Sequence, residues 1–276
     1  MKCMNHSALV MTVCTLSACG GGGGSTPVAV VPPPVTNQSP GGIWTTQYTV
    51  ASGPNSGNVI NAEALIAENG QFFGYSKNTS NGCAALGFGQ LSVTTNNVTG
   101  TETYALVQYS TIPGVTTDCS ELDGSTGGTG SITGTVTQRS SLTLSATQTT
   151  SNGSALPASA TTWTYSTLYA SPSSLTAIAG NYDDGGATLN ISASGVIFEQ
   201  DSNGCVLNGQ VSIINASYNN YAVTVTFANC GTIPDGTAIS GLATLDNSVS
   251  PANLIGGATG NVGGTPYTVA FDAPKM

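Results

Sequence analysis

Strict alternation of apolar and polar residues, turn signals at hairpin spacing and two copies of one motif order predict an all-β protein built from two tandem antiparallel β-domains. The alternation is clearest in the second copy. Leu189 and Ile191 flank Asn190, Val211 and Ile213 flank Ser212, Tyr221, Val223, Val225 and Phe227 share one face, and Tyr267, Val269 and Phe271 share another. No stretch carries a helical stripe. Turns are marked by Ala193-Ser194-Gly195, Asn203-Gly204 and Asp235-Gly236. About eight short strands per copy suffice to close a small barrel filled by its own side chains, although a β-sandwich satisfies the same alternation.

The repeat is read from anchors in one order. Gly42-Ile43-Trp44 matches Gly180-Asn181-Tyr182, Ser80-Asn81-Gly82-Cys83 matches Ser202-Asn203-Gly204-Cys205, and Gly89-Gln90-Leu91-Ser92-Val93 matches Gly209-Gln210-Val211-Ser212-Ile213. Tyr104-Ala105-Leu106 is set against Tyr221-Ala222-Val223, Cys119 against Cys230, and Asp123-Gly124 against Asp235-Gly236. Ile132-Thr133-Gly134 is set against Ile239-Ser240-Gly241, and Trp163-Thr164 against Tyr267-Thr268. The first β-domain is placed at 42–170, a linker at 171–177 and the second β-domain at 178–276.

Hairpin geometry then pairs the cysteines. Cys205 precedes one strand and Cys230 follows the next, so antiparallel pairing brings both to one end; Cys83 and Cys119 hold the equivalent places. The expected disulfides are Cys83 to Cys119 and Cys205 to Cys230, each contributing about 3 to 4 kcal/mol by the loop-entropy model.

Upstream, residues 1–18 read as a signal segment, with Lys2, a short apolar run from Ala8 to Leu16 and small residues before a cysteine. The run is too short to span a bilayer. Residues 19–41 pass from a glycine run, Gly20 to Gly24, into a Pro, Val, Thr and Ser stretch that reads as a flexible and then stiffer tether. Leu16-Ser17-Ala18-Cys19 resembles the lipobox of bacterial lipoproteins. That resemblance implies cleavage before Cys19, acylation of Cys19 and attachment to a membrane through its acyl chains. Gly20, where the family's retention signal has aspartate, implies the outer membrane of a Gram-negative cell. The anchor with its glycine run also resembles host-protein-binding surface lipoproteins of the transferrin-binding protein B type, a likeness that stops at the anchor.

Composition narrows the functions. Without residues 1–18 the chain keeps only Lys77, Arg139 and Lys275 against thirteen acidic residues. Phosphate-backbone binding needs clustered Lys and Arg, so nucleic acid is not an expected partner. The single histidine, His6, lies in the signal segment, which removes Ser-His-Asp and Cys-His catalysis and His-ligated metal from the expectations. Neither Lys77 nor Lys275 sits in a Ser-x-x-Lys context.

Other candidates read as structure. Glu63 and Glu68, five positions apart, point to opposite faces of a regular strand and read as solvated charges, not a glycosidase pair. Asp183-Asp184-Gly185-Gly186 and Asp201-Ser202-Asn203-Gly204 lack the EF-hand spacing and read as turns. Trp44, Trp163, Tyr182 and Tyr267, at first and last strands, read as core residues that help close each sheet. The first copy has the longer inserts, Ser110 to Thr129 and Thr147 to Thr162, where partner-binding loops are expected. The expectation is a non-enzymatic surface or envelope lipoprotein that needs no cofactor, no metal and no catalytic residue and presents its β-domains to a protein or glycan. The alternative is an inhibitor of a secreted hydrolase, similar to the lysozyme-inhibitor lipoproteins, whose acidic charge steers it to basic enzymes.

Overall fold

The computed structural model describes residues 36–50, 56–109, 119–183, 185, 187–231, 233–262 and 265–276. The signal segment, Cys19 and most of the tether lie outside the described residues. The first sheet holds eight strands: β1 (Gly42–Thr49), β2 (Val59–Ile66), β3 (Gln71–Asn78), β4 (Cys83–Thr94), β5 (Asn97–Gln108), β6 (Gly127–Thr137), β7 (Ser141–Thr150) and β8 (Ser159–Ser166). Each pairs antiparallel with the next, and β1 returns to β8 through Ile43↔Ser166, Trp44↔Tyr165 and Thr45↔Thr164, closing a barrel.

A 3-10 turn (Thr167–Ala170) and a single helical turn, α1 (Leu175–Ile178), lead into the second sheet. The Ser174 hydroxyl caps α1 by accepting from the Ala177 N–H. The second sheet holds β9 (Gly180–Asp183), β10 (Thr188–Ile191), β11 (Val196–Gln200), β12 (Val206–Ile213), β13 (Tyr221–Ala228), β14 (Ala238–Asp246), β15 (Asn253–Val262) and β16 (Thr265–Pro274). Among the described residues, its two ends meet through the bridge Tyr182↔Lys275 and the Met276 N–H, which donates to the Asn181 carbonyl at 2.8 Å. The first sheet is therefore a closed barrel and the second a nearly closed one.

The repeat extends to individual contacts. Gly70 and Gly195 both hold positive φ in the turn into the third strand of their copy, at 85° and 83°, where a side chain would collide with a neighbouring carbonyl. Gln90 donates to the carbonyls of Asn69 and Leu91, and Gln210 to those of Ser194 and Val211. The Trp44 indole donates to the Pro40 carbonyl at 2.9 Å, and the Tyr182 hydroxyl to that of Ile178 at 2.6 Å, each four residues back. Disulfides join Cys83 to Cys119 and Cys205 to Cys230, and both lie at the end of their sheet opposite the connecting helix.

Strand register corrects three anchors. Leu91 faces Gly100 where Val211 faces Val223, so Tyr104 is equivalent to Phe227 and Tyr221 to Val98. The longer β12–β13 connection displaced the tyrosines in sequence. Gly100 faces Ile132 and Val223 faces Gly241, so Ile132 corresponds to Gly241, not Ile239. Tyr165 and Lys275 hold equivalent closing positions, which places Trp163 opposite Ala273 in the repeat and leaves Tyr267 without a tryptophan counterpart.

The two sheets pack through their outer faces. Ile43, Leu65, Phe73, Leu86 and Phe88 of the barrel form one buried cluster with Leu242 of β14 and with Tyr169 of the connection. The Phe73 ring rests on the backbone of Gly257, where a Cβ would stand 2.5 Å from it, so only glycine fits. Polar links frame this contact: Lys77 pairs with Asp272, and Arg139 hydrogen-bonds Tyr218, whose ring stacks on Tyr169 at 4.9 Å. Lys275 donates to the Ala177 carbonyl at 3.0 Å beside the seam. All three basic residues of the described chain thus work at joints within the fold.

Candidate binding site

Two changes leave the second sheet open. From the opening glycine to the Ser-Asn-Gly-Cys turn, the first copy runs from Gly42 to Ser80 and the second only from Gly180 to Ser202. The β1–β2 ladder accordingly has eight paired rows and the β9–β10 ladder four. Inward residues also shrink: the positions of Trp163, Leu144 and Ile132 in the barrel are held by Ala273, Gly256 and Gly241. Less wall and less filling leave a cavity of about 640 Å³.

Its depth is apolar, with Leu189, Ile191, Val211, Val223, Val225 and Phe227 opposite Tyr267, Val269 and Phe271 of β16. Glu199, Asp201, Asn203 and Asn229 stand at the mouth, beside the Cys205–Cys230 disulfide. The outward-facing Ala270 also lines the cavity, so the space reaches the exterior beside β16, where β9 and β10 have already turned back. Its volume falls within the range of small-molecule pockets, and apolar walls with a few convergent polar groups are their usual make-up. An eight-stranded barrel is just wide enough to hold one such group.

The closed barrel makes the contrast. Its interior retains about 180 Å³, filled in by Phe72, Leu91, Ile132, Leu144 and Trp163. Glu102 points into it where the second sheet has Val225, and accepts from Gln148 at 2.8 Å. Burial raises the Glu102 carboxyl above its ordinary range, outweighing that hydrogen bond.

Between the sheets lies a polar cluster of Glu63, Tyr75, Lys77, Asn253 and Asp272. Burial pushes the Glu63 carboxyl up to about 7, against the Tyr75 hydroxyl at 3.4 Å and with reinforcement from Asp246 and Asp272. Burial acts on Asp272 in the same sense, but its bonds from Lys77 and Asn253 prevail and hold it below the ordinary value. Two carboxyls with opposed shifts are the pattern of a glycosidase acid and its partner. Here both Asp272 oxygens are already engaged, one by Lys77 and one by Asn253, which assigns the cluster to the joint between sheets.

A pH dependence follows. A carboxyl whose folded pKa is raised favours its protonated form in the fold, so stability falls as pH rises from the ordinary carboxylate range to about 7 and levels off above it. Glu102 acts in the same direction. Glu63→Gln is expected to flatten the pH 5 to 8 limb of a thermal-melt profile and to stabilise the protein at pH 8 by on the order of 1 to 3 kcal/mol. An unchanged limb in the variant would remove Glu63 as its source.

The residues singled out from sequence divide as follows. Glu63 is on β2 but partly buried, not solvated, because the second sheet covers that face. Glu68 is not on the strand at all; it sits in the β2–β3 turn and bonds Ser39 and the Tyr169 hydroxyl. Asp201 accepts from the N–H groups of Asn203 and Cys205, the turn role expected. Trp44 and Tyr182 are fully buried beside the seams, whereas Trp163 and Tyr267 are only partly buried, and Tyr267 lines the large cavity. Parts of both expected inserts are strand: Thr129 lies on β6 and Thr147 on β7, leaving 151–158 as the second loop, while 110–118 lies outside the described residues. The cavity itself was missed. Its signal was the short spacing from Gly180 to Ser202.

Among the described residues, no three His, Cys, Asp or Glu side chains converge as metal ligands, and no helix is long and apolar enough to cross a membrane. Fold and site define a tandem eight-stranded β-protein with one closed barrel and one nearly closed sheet, the second holding the larger apolar cavity. Comparison with known proteins finds no matching family model, no matching curated protein and no matching solved structure.

Proposed function

We propose that this chain is a lipid-anchored outer-membrane envelope protein that binds an apolar group of a partner in its second sheet and catalyses no reaction. The observation that carries the reading is the difference between two copies of one design. One is a closed barrel that keeps about 180 Å³ inside, while the other, not fully closed, keeps a cavity of about 640 Å³. Leaving that much apolar wall unfilled forfeits dispersion and burial energy that the first copy retains, so a bound group offsets the deficit. A protein partner fits the large apolar lining better than a glycan does, since few polar groups are available inside to bond sugar hydroxyls.

The anchor part rests on Leu16-Ser17-Ala18-Cys19 and the glycine run. Cys19→Ser is expected to move the protein from the membrane fraction to the soluble fraction and to abolish incorporation of labelled palmitate. Unchanged membrane partition in that variant would end the anchor reading. The binding part is tested by titrating the purified protein with the neutral fluorophore N-phenyl-1-naphthylamine. Saturable one-to-one enhancement is expected, and its absence would refute an apolar binding site.

A further inference from the structure

We infer that the group bound in the second sheet belongs to an extended polypeptide segment, which adds as a strand to the free edge of β16 and turns alternate apolar side chains into the cavity. This rests on the binding reading above and names its partner class.

The missing wall is strand-shaped. The β9–β10 ladder lacks four of the rows that β1–β2 supplies in the first copy, a gap about 13 Å long at strand rise. β16 runs beyond that gap, paired with β15 along its whole length from Val262↔Thr265 to Asn253↔Pro274. On its other side no strand pairs with residues 265–274 among the described residues.

Parity along β16 fixes which groups face the gap. The Lys275 N–H bonds the carbonyl of Ala252, just before β15, while the Met276 N–H bonds that of Asn181 on β9. In an unbroken antiparallel ladder this alternation continues, so Thr268 and Ala270 direct their N–H and C=O groups outward. Pro266 and Pro274 have the same parity, where a proline costs the sheet no ladder bond. The outward edge is thus limited to a short bonding window between two prolines, alongside the apolar cavity.

Main-chain bonds at an open edge with side-chain pockets beside it are the means of recognition by strand addition. Glu199 and Asp201 line the mouth and, among the described residues, no Lys or Arg does, so charge complementarity favours a basic residue at one end of the incoming segment. A small apolar molecule would use the cavity and leave the edge unused; a second copy would use the edge and bring its own.

The test uses the full acylated protein in detergent and a pool of heptapeptides with Val, Ile, Leu or Phe at alternate positions, Thr or Ser between them and Lys at the N-terminus. A matched pool carries N-methyl groups on the alternate amides that would bond the edge. The expected result is binding by the first pool that weakens at least tenfold on N-methylation. Thr268→Pro, which removes one outward N–H at a residue that does not line the cavity and spares the β15 ladder, is expected to produce a similar loss while N-phenyl-1-naphthylamine binding stays intact. Equal binding of both pools, or binding of the fluorophore with neither pool, would overturn strand addition and leave the apolar site standing. Failure of the fluorophore and both pools would overturn both readings. A wild-type dimer that Thr268→Pro dissociates, with no peptide bound, would assign the edge to a second copy and refute the proposal.

Discussion

Phe73→Ala is expected to destabilise the protein by about 3 to 5 kcal/mol, whereas Phe198→Ala, at the equivalent position of the repeat, is expected to change stability by less than about 0.5 kcal/mol. Each phenylalanine follows the inward residue that faces the conserved glycine of its copy, Phe72 opposite Gly89 and Ile197 opposite Gly209. Both therefore point outward from their sheet. Phe73 is 2% exposed because Gly257 and Leu242 of the second sheet close over it, and its ring lies 5.2 Å from that of Phe88. Phe198 is 45% exposed because nothing in the described chain covers that face of the second sheet. Removing Phe73 also leaves a void against a glycine that cannot fill it, which adds a cavity cost to the lost transfer energy. Chemical denaturation of the two variants checks the pair, and equal losses would mean that the sheets do not share the contact described.

Val225→Phe is expected to weaken apolar ligand binding by at least tenfold while leaving stability within about 1 kcal/mol of wild type. Val225 lies on β13, buried in the wall of the large cavity, at the position that Glu102 holds in the barrel. Small-to-large substitutions in filled cores cost about 1 to 3 kcal/mol because neighbours must move. Here the added ring enters space that is already empty, so the substitution separates filling from strain. Fluorophore titration and thermal melts of the same preparation read both quantities. Retained affinity in a folded Val225→Phe protein would place the binding site elsewhere.

Strand number, class and repeat were legible in the sequence because outward and inward residues alternate so regularly along Tyr221 to Phe227 and Tyr267 to Phe271. Turn chemistry was legible for the same local reason, as at Asp201 to Cys205. The position of each cysteine at a strand end pointed to the bonds that the structure contains. Closure was harder to read, since it depends on whether first and last strands reach one another across the whole copy, and Tyr182↔Lys275 joins residues at opposite ends of the second sheet's sequence. Glu63 looked solvated because its own strand says nothing of Asp246 and Asp272, which a second sheet brings to it. The cavity was hidden by substitutions that are each unremarkable alone. Ala273, Gly256 and Gly241 become informative only once register aligns them with Trp163, Leu144 and Ile132.

Methyl-resolved NMR of protein labelled at Ile, Leu and Val, titrated with N-phenyl-1-naphthylamine, tests the central claim most directly. Saturable shifts are expected at Leu189, Val211, Val223, Val225 and Val269 around the open cavity, with Leu91, Ile132 and Leu144 of the closed barrel unmoved. Shifts confined to the closed barrel, or spread equally through both sheets, would contradict the assignment of binding to the second sheet.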